Sequence, residues 1–193
     1  TVGPVGETRE VEREVVLRTA RLVVTAWDAE DLDDLHRMHS DPATMRFIGG
    51  RPETRAESQT RLERYLDEQS TRGWTKWRVT TTDDRFVGRA GFGDYDDDRE
   101  LGYTFARAWW GQGFATEAAT ALVDWHREHP ASRASDRGGQ MGLWGYADLD
   151  NLASVRVLAK AGLRFVETRQ AFGTPCAFFR LDEVPRTDGT VTG

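Results

Sequence analysis

"WWGQGFATEA", residues 109–118, lies between a strand-like run of residues and a run with the periodicity of a helix. Glycine costs backbone entropy, so Gly111 and Gly113 at this junction indicate either positive φ angles or a ligand close to the main chain. Where a strand turns into a helix, the first backbone N–H groups of the helix have no partner within it. Their partial charge and the helix dipole favour an anion, phosphate above all. The stretch therefore predicts a phosphate-binding turn, and a tight turn without a ligand is the alternative.

Two common phosphate-binding motifs do not fit this stretch. A Walker loop needs lysine directly after glycine, and residues 109–118 contain no lysine. A dinucleotide-binding fingerprint needs an acidic residue about 20 residues further on, at the end of the next strand. Arg133 stands at that place, within a polar loop. The interpretation that remains is a metal-free cradle for a pyrophosphate.

The composition limits the class of protein. A chain of 193 residues with 38% hydrophobic residues is long enough for one compact domain. Its single cysteine, Cys176, rules out an internal disulfide and favours a reducing, cytoplasmic location. A formal net charge of −6 argues against direct nucleic-acid binding. The sequence contains no apolar run long enough to cross a bilayer, so we expect no membrane partner.

Hydrophobic periodicity predicts the order β-α-α-β-β-β-α-β-α-β-β. Strands are predicted at 17–27, 74–81, 85–94, 100–107, 141–146, 163–171 and 177–181, and helices at 28–39, 51–72, 114–128 and 151–161. This order predicts a mixed α/β fold with one mostly antiparallel sheet flanked by helices. We expect one domain over residues 15–182, with loose termini at 1–14 and 183–193.

Two segments resemble the GNAT N-acetyltransferase superfamily, especially its RimJ/RimL-like branch. The first, Glu100-Leu101-Gly102-Tyr103 followed by residues 110–118, is similar to motif A of that superfamily. The second, "NLASVRVL" at 151–158 followed by "AGLRF" at 161–165, is similar to the Asn-x-x-Ser-x-x-Val-Leu…Gly-Phe segment of the branch. The resemblance extends over about residues 15–181. It departs at Leu163, where the family usually has phenylalanine, and we expect Phe165 to fill that space.

The resemblance implies the GNAT fold with acetyl-CoA as co-substrate and no metal. The pyrophosphate is expected on the glycine loop, and the pantetheine arm is expected to pair like an added strand with the strand that contains Tyr103, where it splays from its neighbour. The CoA-binding residues expected on this basis are Tyr103, Phe105, Gly111, Gln112, Gly113, Phe114, Ala115, Thr116 and Asn151. Ser154 falls on the serine of the family that protonates the departing thiolate. Alternatives are a plain helix cap for Asn151 and a first-turn serine bonded only to backbone for Ser154.

The chemistry requires a neutral amine to attack the thioester carbonyl. A lysine amine with a pKa of ~10.4 is neutral in well under a thousandth of molecules at pH 7, whereas an α-amine with a pKa of ~8 is neutral in about a tenth. A base therefore matters most for a lysine acceptor. Glu100 is the candidate base, acting directly or through water, and the alternative is a sheet-edge carboxylate in solvent.

The acceptor is less constrained by the sequence than the donor. The resemblance favours a protein N-terminal α-amine, while amino acids, aminoglycoside-like amines and polyamines stay open. A non-catalytic acyl-CoA-binding regulatory module is the alternative function, and a homodimer is left open. We expect residues 45–50 and one or two of Trp27, Trp74, Trp77 and Trp144 to line the acceptor pocket, with the other tryptophans in the core. The histidines His36, His39, His126 and His129 have no third metal ligand and are expected at the surface.

Overall fold

A computed structural model describes residues 13–130 and 140–182 of the chain. The strands are β1 (Val15–Arg18), β2 (Leu22–Thr25), β3 (Lys76–Thr81), β4 (Phe86–Tyr95), β5 (Asp98–Phe105), β6 (Leu143–Asp148), β7 (Arg164–Ala171) and β8 (Thr174–Arg180). The α-helices are α1 (Leu32–His39), α2 (Pro42–Met45), α3 (Arg55–Arg72), α4 (Phe114–Glu128) and α5 (Leu152–Lys160). Single 3₁₀ turns at Ala29–Asp31 and Arg107–Trp109 precede α1 and the glycine loop.

The eight strands form one sheet in the order β1-β2-β3-β4-β5-β6-β8-β7. Neighbouring strands are antiparallel throughout, except that β5 and β6 are parallel. Helices pack on both faces of this sheet. The mixed α/β architecture with a mostly antiparallel sheet is therefore confirmed.

The sheet opens between its two parallel strands. β5 and β6 are in register only at Arg99–Leu143 and Glu100–Trp144. On its other side β5 stays paired with β4 along its whole length, from Asp98 to Phe105. The β6-facing edge of residues 102–105 therefore has no strand partner in the described part of the chain, and this opening is the expected splay.

The two faces of the sheet bury different clusters. On one face α4 and α5 cover the larger core, which includes Trp77, Phe92 and Leu122. On the other face α1 and α3 form a second cluster, Trp27, Leu35, Met38, Leu62 and Tyr65. Since side chains alternate along a strand, each strand contributes to both faces. The described helices include none that is both long enough and apolar enough to cross a membrane.

The first predicted strand, 17–27, is wrong in its extent. The chain turns at residues 19–21 and forms a hairpin of β1 and β2. Thr19 closes this turn, because its N–H donates to Leu22 O at 2.9 Å and its hydroxyl accepts from Leu22 N at 2.9 Å. Trp27 lies beyond β2 and packs with α1 and α3, where its ring stacks on Tyr65.

The expected loop at residues 45–50 is also shorter at its start than predicted. Asp41 caps α2 through hydrogen bonds from Ala43 N and Thr44 N, and Pro42 occupies the first helical position. Met45 is therefore buried at the end of a short helix and does not line an open loop.

Most of the termini expected to be loose lie outside the described residues. Of 1–14 only Arg13 and Glu14 are described, and Glu14 O accepts a hydrogen bond from Ala26 N at 3.0 Å. Residues 183–193 and most of the polar loop before β6 also lie outside the described ranges.

Candidate active site

The glycine loop after β5 owes its glycines to backbone conformation. Gly111 has φ +74° and Gly113 has φ +82°, both in the left-handed region that side chains rarely adopt. A Cβ at Gly111 would meet nothing within 4 Å, so crowding within the protein does not explain the residue. The loop is exposed, and the space in front of it is open to a ligand.

The N-terminus of α4 presents unpaired donors beside this loop. Gly113 is the N-cap residue, and no side chain caps the helix. The first helical hydrogen bond runs from Glu117 N to Gly113 O at 3.0 Å, so the N–H groups of Phe114, Ala115 and Thr116 precede the helix ladder. The Phe114 side chain is buried in the core, and this residue can therefore contact a phosphate only through its backbone. The arrangement fits the pyrophosphate cradle predicted from the sequence.

Arg21, from the turn between β1 and β2, fixes this loop and was missed in the sequence. Its Nη1 donates to Gln112 O at 3.0 Å, and its Nε donates to Glu117 Oε2 at 2.7 Å. Its guanidinium carbon lies 4.5 Å from the centre of the Phe114 ring. The loop and Arg21 are about 90 residues apart in the chain, so neither spacing nor periodicity indicates the contact.

Glu117 is the carboxylate that Arg21 neutralises. Burial opposes its ionisation, but hydrogen bonds from Thr19 and Arg21 outweigh burial and hold the pKa of Glu117 below its usual value. The Thr19 hydroxyl donates to Glu117 Oε1 at 2.6 Å. A carboxylate in the first turn of α4 would repel a phosphate on the same turn, and the ion pair removes that repulsion.

Tyr103 joins the open edge of β5 to helix α5. Its hydroxyl donates to Ser154 O at 3.1 Å. Burial raises the pKa of Tyr103, so the hydroxyl stays protonated at neutral pH and keeps this donor role. Phe105, two residues further along the same edge, is buried in the core, which leaves its backbone as the part available to the splay.

Asn151 and Ser154 form the start of α5. Asn151 is the N-cap residue, and its Oδ1 accepts from Ser154 N at 3.2 Å. The helix-cap interpretation of Asn151 is therefore confirmed, which leaves its amide N–H₂ group for other contacts. Within residues 13–130 and 140–182 the Ser154 hydroxyl makes no hydrogen bond, and the side chain is only half-buried.

Glu100 lies at the floor of the opposite sheet face, at the last residue pair before β5 and β6 separate. Its Oε2 is 2.7 Å from Lys76 Nζ, and its side chain is only 8% exposed. The alternative of a sheet-edge carboxylate in solvent is wrong, because β5 is an inner strand and the carboxylate is ion-paired. As a carboxylate beside the splay, Glu100 can accept a proton.

Two glycines make room for this ion pair. Lys76 extends from β3 across β4 to reach Glu100 on β5. A Cβ at Gly102 would lie 2.3 Å from Lys76 Cε, and one at Gly93 would lie 2.9 Å from Glu100 Oε2. Glycine at these positions is therefore a condition for the Lys76–Glu100 contact.

Comparison with known families places this geometry. The family model described as acetyltransferase (GNAT) domain matches residues 21–164, about three quarters of the chain. The chain belongs to the GNAT family. This GNAT domain is that of an acyl-CoA N-acyltransferase.

Individual relatives are more distant. The chain is 29% identical over 114 residues to the uncharacterized N-acetyltransferase p20 of Bacillus licheniformis, a match that covers 56% of this chain and 64% of that protein. It is 28% identical over 149 residues to the uncharacterized protein YkkB of Bacillus subtilis strain 168, covering 74% and 80%. Among solved structures, the ribosomal L7/L12 alpha-N-protein acetyltransferase RimL in complex with coenzyme A has a TM-score of 0.70 at 15% identity, covering 86% of this chain and 97% of that one. The structural likeness supports the GNAT fold.

Two of the histidines expected at the surface of this GNAT domain are buried. His39 is 0% exposed and His126 is 8% exposed. Burial, reinforced by the charge of Arg89, lowers the pKa of His39 to about 3. Burial and the charge of Arg99 lower the pKa of His126 to about 4. The described residues contain no group of three His, Cys, Asp or Glu side chains able to hold a metal ion.

The aromatic residues follow the predictions less closely. Trp27, Trp74 and Trp77 are buried as expected, whereas Trp144 is half-exposed on the Glu100 face of β6, with its ring 5.0 Å from that of Tyr95. Phe165 does not fill the space beside Leu163. It is 54% exposed and packs edge-on against Phe179, while Leu163 itself is buried.

Proposed function

We propose that this GNAT domain transfers the acetyl group of acetyl-CoA directly to a primary amine, with no covalent enzyme intermediate. The observation that carries the proposal is the opening between β5 and β6. Unpaired N–H groups of the glycine loop follow one end of the opening, and Tyr103 links it to the start of α5. An extended thioester with a pyrophosphate at its far end fits these features in that order.

Each group of residues has a separate task in this proposal. Backbone N–H groups of residues 111–116 hold the pyrophosphate, and the free edge at Tyr103 to Phe105 pairs with the pantetheine arm. The Asn151 amide binds the same arm near the sulfur. Acceptor nitrogen attacks the thioester carbonyl, the C–S bond breaks, and Ser154 donates a proton to the departing thiolate. Glu100 takes a proton from the amine, directly or through a water molecule.

The acceptor we favour is an α-amine. An α-amine supplies neutral nucleophile near pH 8 by its own ionisation, whereas a lysine needs strong assistance from a base. The only carboxylate among the site residues, Glu100, is already engaged by Lys76. The fold shared with RimL, which is named as an alpha-N-protein acetyltransferase, supports the same choice and the RimJ/RimL-like branch. A domain over residues 15–182, a homodimer and a cytoplasmic location stay predictions.

A pair of peptides tests this choice. One peptide has a free N-terminus and no lysine, and the other has a blocked N-terminus and one lysine. We expect kcat/KM for the first peptide to rise with pH and level off near pH ~8, with little change in Glu100→Gln. A preference for the lysine peptide, with a loss of more than about a hundredfold in Glu100→Gln, would overturn the α-amine assignment and make Glu100 the essential base.

The same experiment separates catalysis from binding alone. Calorimetry measures CoA affinity, and thiol release measures turnover with a broad panel of amines. Turnover with any amine supports the transferase. CoA binding without turnover on the whole panel would support the non-catalytic acyl-CoA-binding module instead.

A further inference from the structure

A buried guanidinium shares a sheet face with Glu100. Arg89 on β4 is 4% exposed, and its strand alternates so that Arg89, Gly91 and Gly93 point to the α1 and α3 side. Gly93 is the residue opposite Glu100 on β5. The glycine loop lies elsewhere, since α4 packs on the opposite face with Ala90 and Phe92.

Arg89 has no carboxylate partner in the described ranges. Its one hydrogen bond runs from Nε to His39 Nε2 at 3.3 Å. His39 Nδ1 lies 2.9 Å from Glu53 Oε2, so the imidazole donates to Glu53 and accepts from Arg89, as a neutral ring can. The Glu53 carboxylate is itself ion-paired with Arg61. The carboxylate of this network is therefore consumed one step away from Arg89.

The two Nη groups of Arg89 remain free. They make no hydrogen bond within the described chain, yet they are not among the fully buried atoms without a partner. They therefore keep some exposed surface that a ligand can reach. His39 holds Nε, which fixes the orientation of the planar fork.

Tyr65 adds a second donor at the same place. The Arg89 guanidinium carbon lies 5.8 Å from the centre of the Tyr65 ring. Tyr65 is 1% exposed, and its hydroxyl is buried without a hydrogen-bond partner. Buried polar groups in folded proteins are paired as a rule, so two neighbouring donors without an acceptor indicate a missing acceptor.

We propose that Arg89 and Tyr65 bind a carboxylate carried by the acceptor, so that the site selects amines that bear a carboxylate. A guanidinium fork matches the two oxygens of a carboxylate, and a phenol adds a third donor. Glu100 faces the same side of the sheet and lies next to the splay, where the amine reacts. The cleft thus offers a negative group for the amine and a positive group for the carboxylate. This inference rests on the proposed function of the same site.

Matched acceptors test the proposal. Each amino acid or dipeptide is compared with its C-terminal amide, and kcat/KM is corrected for the fraction of neutral amine, which differs between acid and amide. We expect the free acids to have a KM at least about tenfold lower than the amides in the wild type. Equal KM values for acids and amides would overturn the proposal.

Variants assign the effect to the two donors. Arg89→Gln is expected to raise KM for the acids about tenfold or more and to leave KM for the amides and kcat nearly unchanged, while Arg89→Lys restores part of the preference. Tyr65→Phe removes only the hydroxyl and is expected to raise KM for the acids about threefold or more. Arg64→Gln, an exposed charge beside Tyr65, is the control and should keep the preference of the wild type. Equal shifts for acids and amides in both variants would show a structural role alone.

Binding measurements separate this inference from the proposed function. Calorimetry of the free acids and their amides is carried out with CoA present, whether or not turnover occurs. Acids that bind the wild type, and bind Tyr65→Phe and Arg89→Gln more weakly, support the carboxylate site even if no amine is acetylated. Acids and amides that bind equally well, or not at all, refute it.

Discussion

At the scale of single residues, Gly113 combines a positive φ with a place at the head of α4. Gly113→Val should raise the Kd for CoA by at least about tenfold, because a β-branched residue strains the left-handed backbone and turns the N–H groups away from the phosphate. Calorimetry on the folded variant measures the effect. The control is Gly73→Val, which has φ +73° and open space at the end of α3. Equal CoA affinity of the wild type and Gly113→Val would refute the phosphate site.

Ser154 carries a hydroxyl that the protein itself does not use. Ser154→Ala should lower kcat by about ten- to a thousandfold and leave CoA affinity similar, because a general acid acts only in the transition state. Single-turnover kinetics measures the chemical step. Ser70→Ala, at an exposed position of α3, is the matched control. An unchanged chemical step in Ser154→Ala would reduce Ser154 to a first-turn residue of α5.

Residue types alone predicted part of this site. The glycine loop and the Asn151 cap each depend on neighbours within a few residues, so a local motif could indicate them. The Lys76–Glu100 pair and the Arg21 contacts join residues from separate strands, and no local pattern reports such a meeting. Glu100 was therefore found as a candidate, but its partner was not.

At the scale of elements, the β1–β2 hairpin supports the phosphate loop through Arg21. Arg21→Ala should raise the Kd for CoA by about tenfold, because it frees the Gln112 carbonyl and leaves the charge of Glu117 uncompensated beside the phosphates. Arg18→Ala removes the same charge from an exposed position of the same hairpin and is the control. Equal losses in both variants would mean that only the overall charge matters, and no loss in either would remove Arg21 from the site.

The elements themselves were predicted unequally. Helix α4 was predicted at its observed bounds, 114–128, because a glycine cap and a clear apolar stripe mark it. Helix α3 was placed four residues too early, since the Thr54–Glu57 capping box marks its start and was not used. The β1–β2 turn has no glycine, proline or asparagine, and the two strands therefore looked like one.

At the scale of the whole molecule, the order of elements predicted the fold class but not the sheet order. The opening between β5 and β6 depends on β8 pairing with β6 and on β4 pairing with β5, which are contacts between distant segments. The family resemblance supplied the expectation of a splay, and strand pairing gave its position at residues 102–105.

Two buried histidines make the stability of the whole molecule depend on pH. The pKa of His39 is lowered to about 3 and that of His126 to about 4, in both cases first by burial. Between those values and the pKa of ~6.5 of an unfolded chain, the unfolded state binds more protons, so stability is lost as pH falls through this window. From about pH 7.5 to about pH 5 each histidine should lower the free energy of unfolding by about 2 kcal/mol.

Urea unfolding at these two pH values measures the change. His39→Gln should show a loss on acidification that is smaller by about 2 kcal/mol, because glutamine has no proton to gain. Carboxylates contribute little in this range, since their unfolded pKa values of ~4 lie below it. A free energy of unfolding that is the same at both pH values in the wild type would contradict neutral, buried histidines. An equal pH dependence in His39→Gln would remove His39 from the effect, and with it the assignment of His39 as the neutral acceptor that orients Arg89.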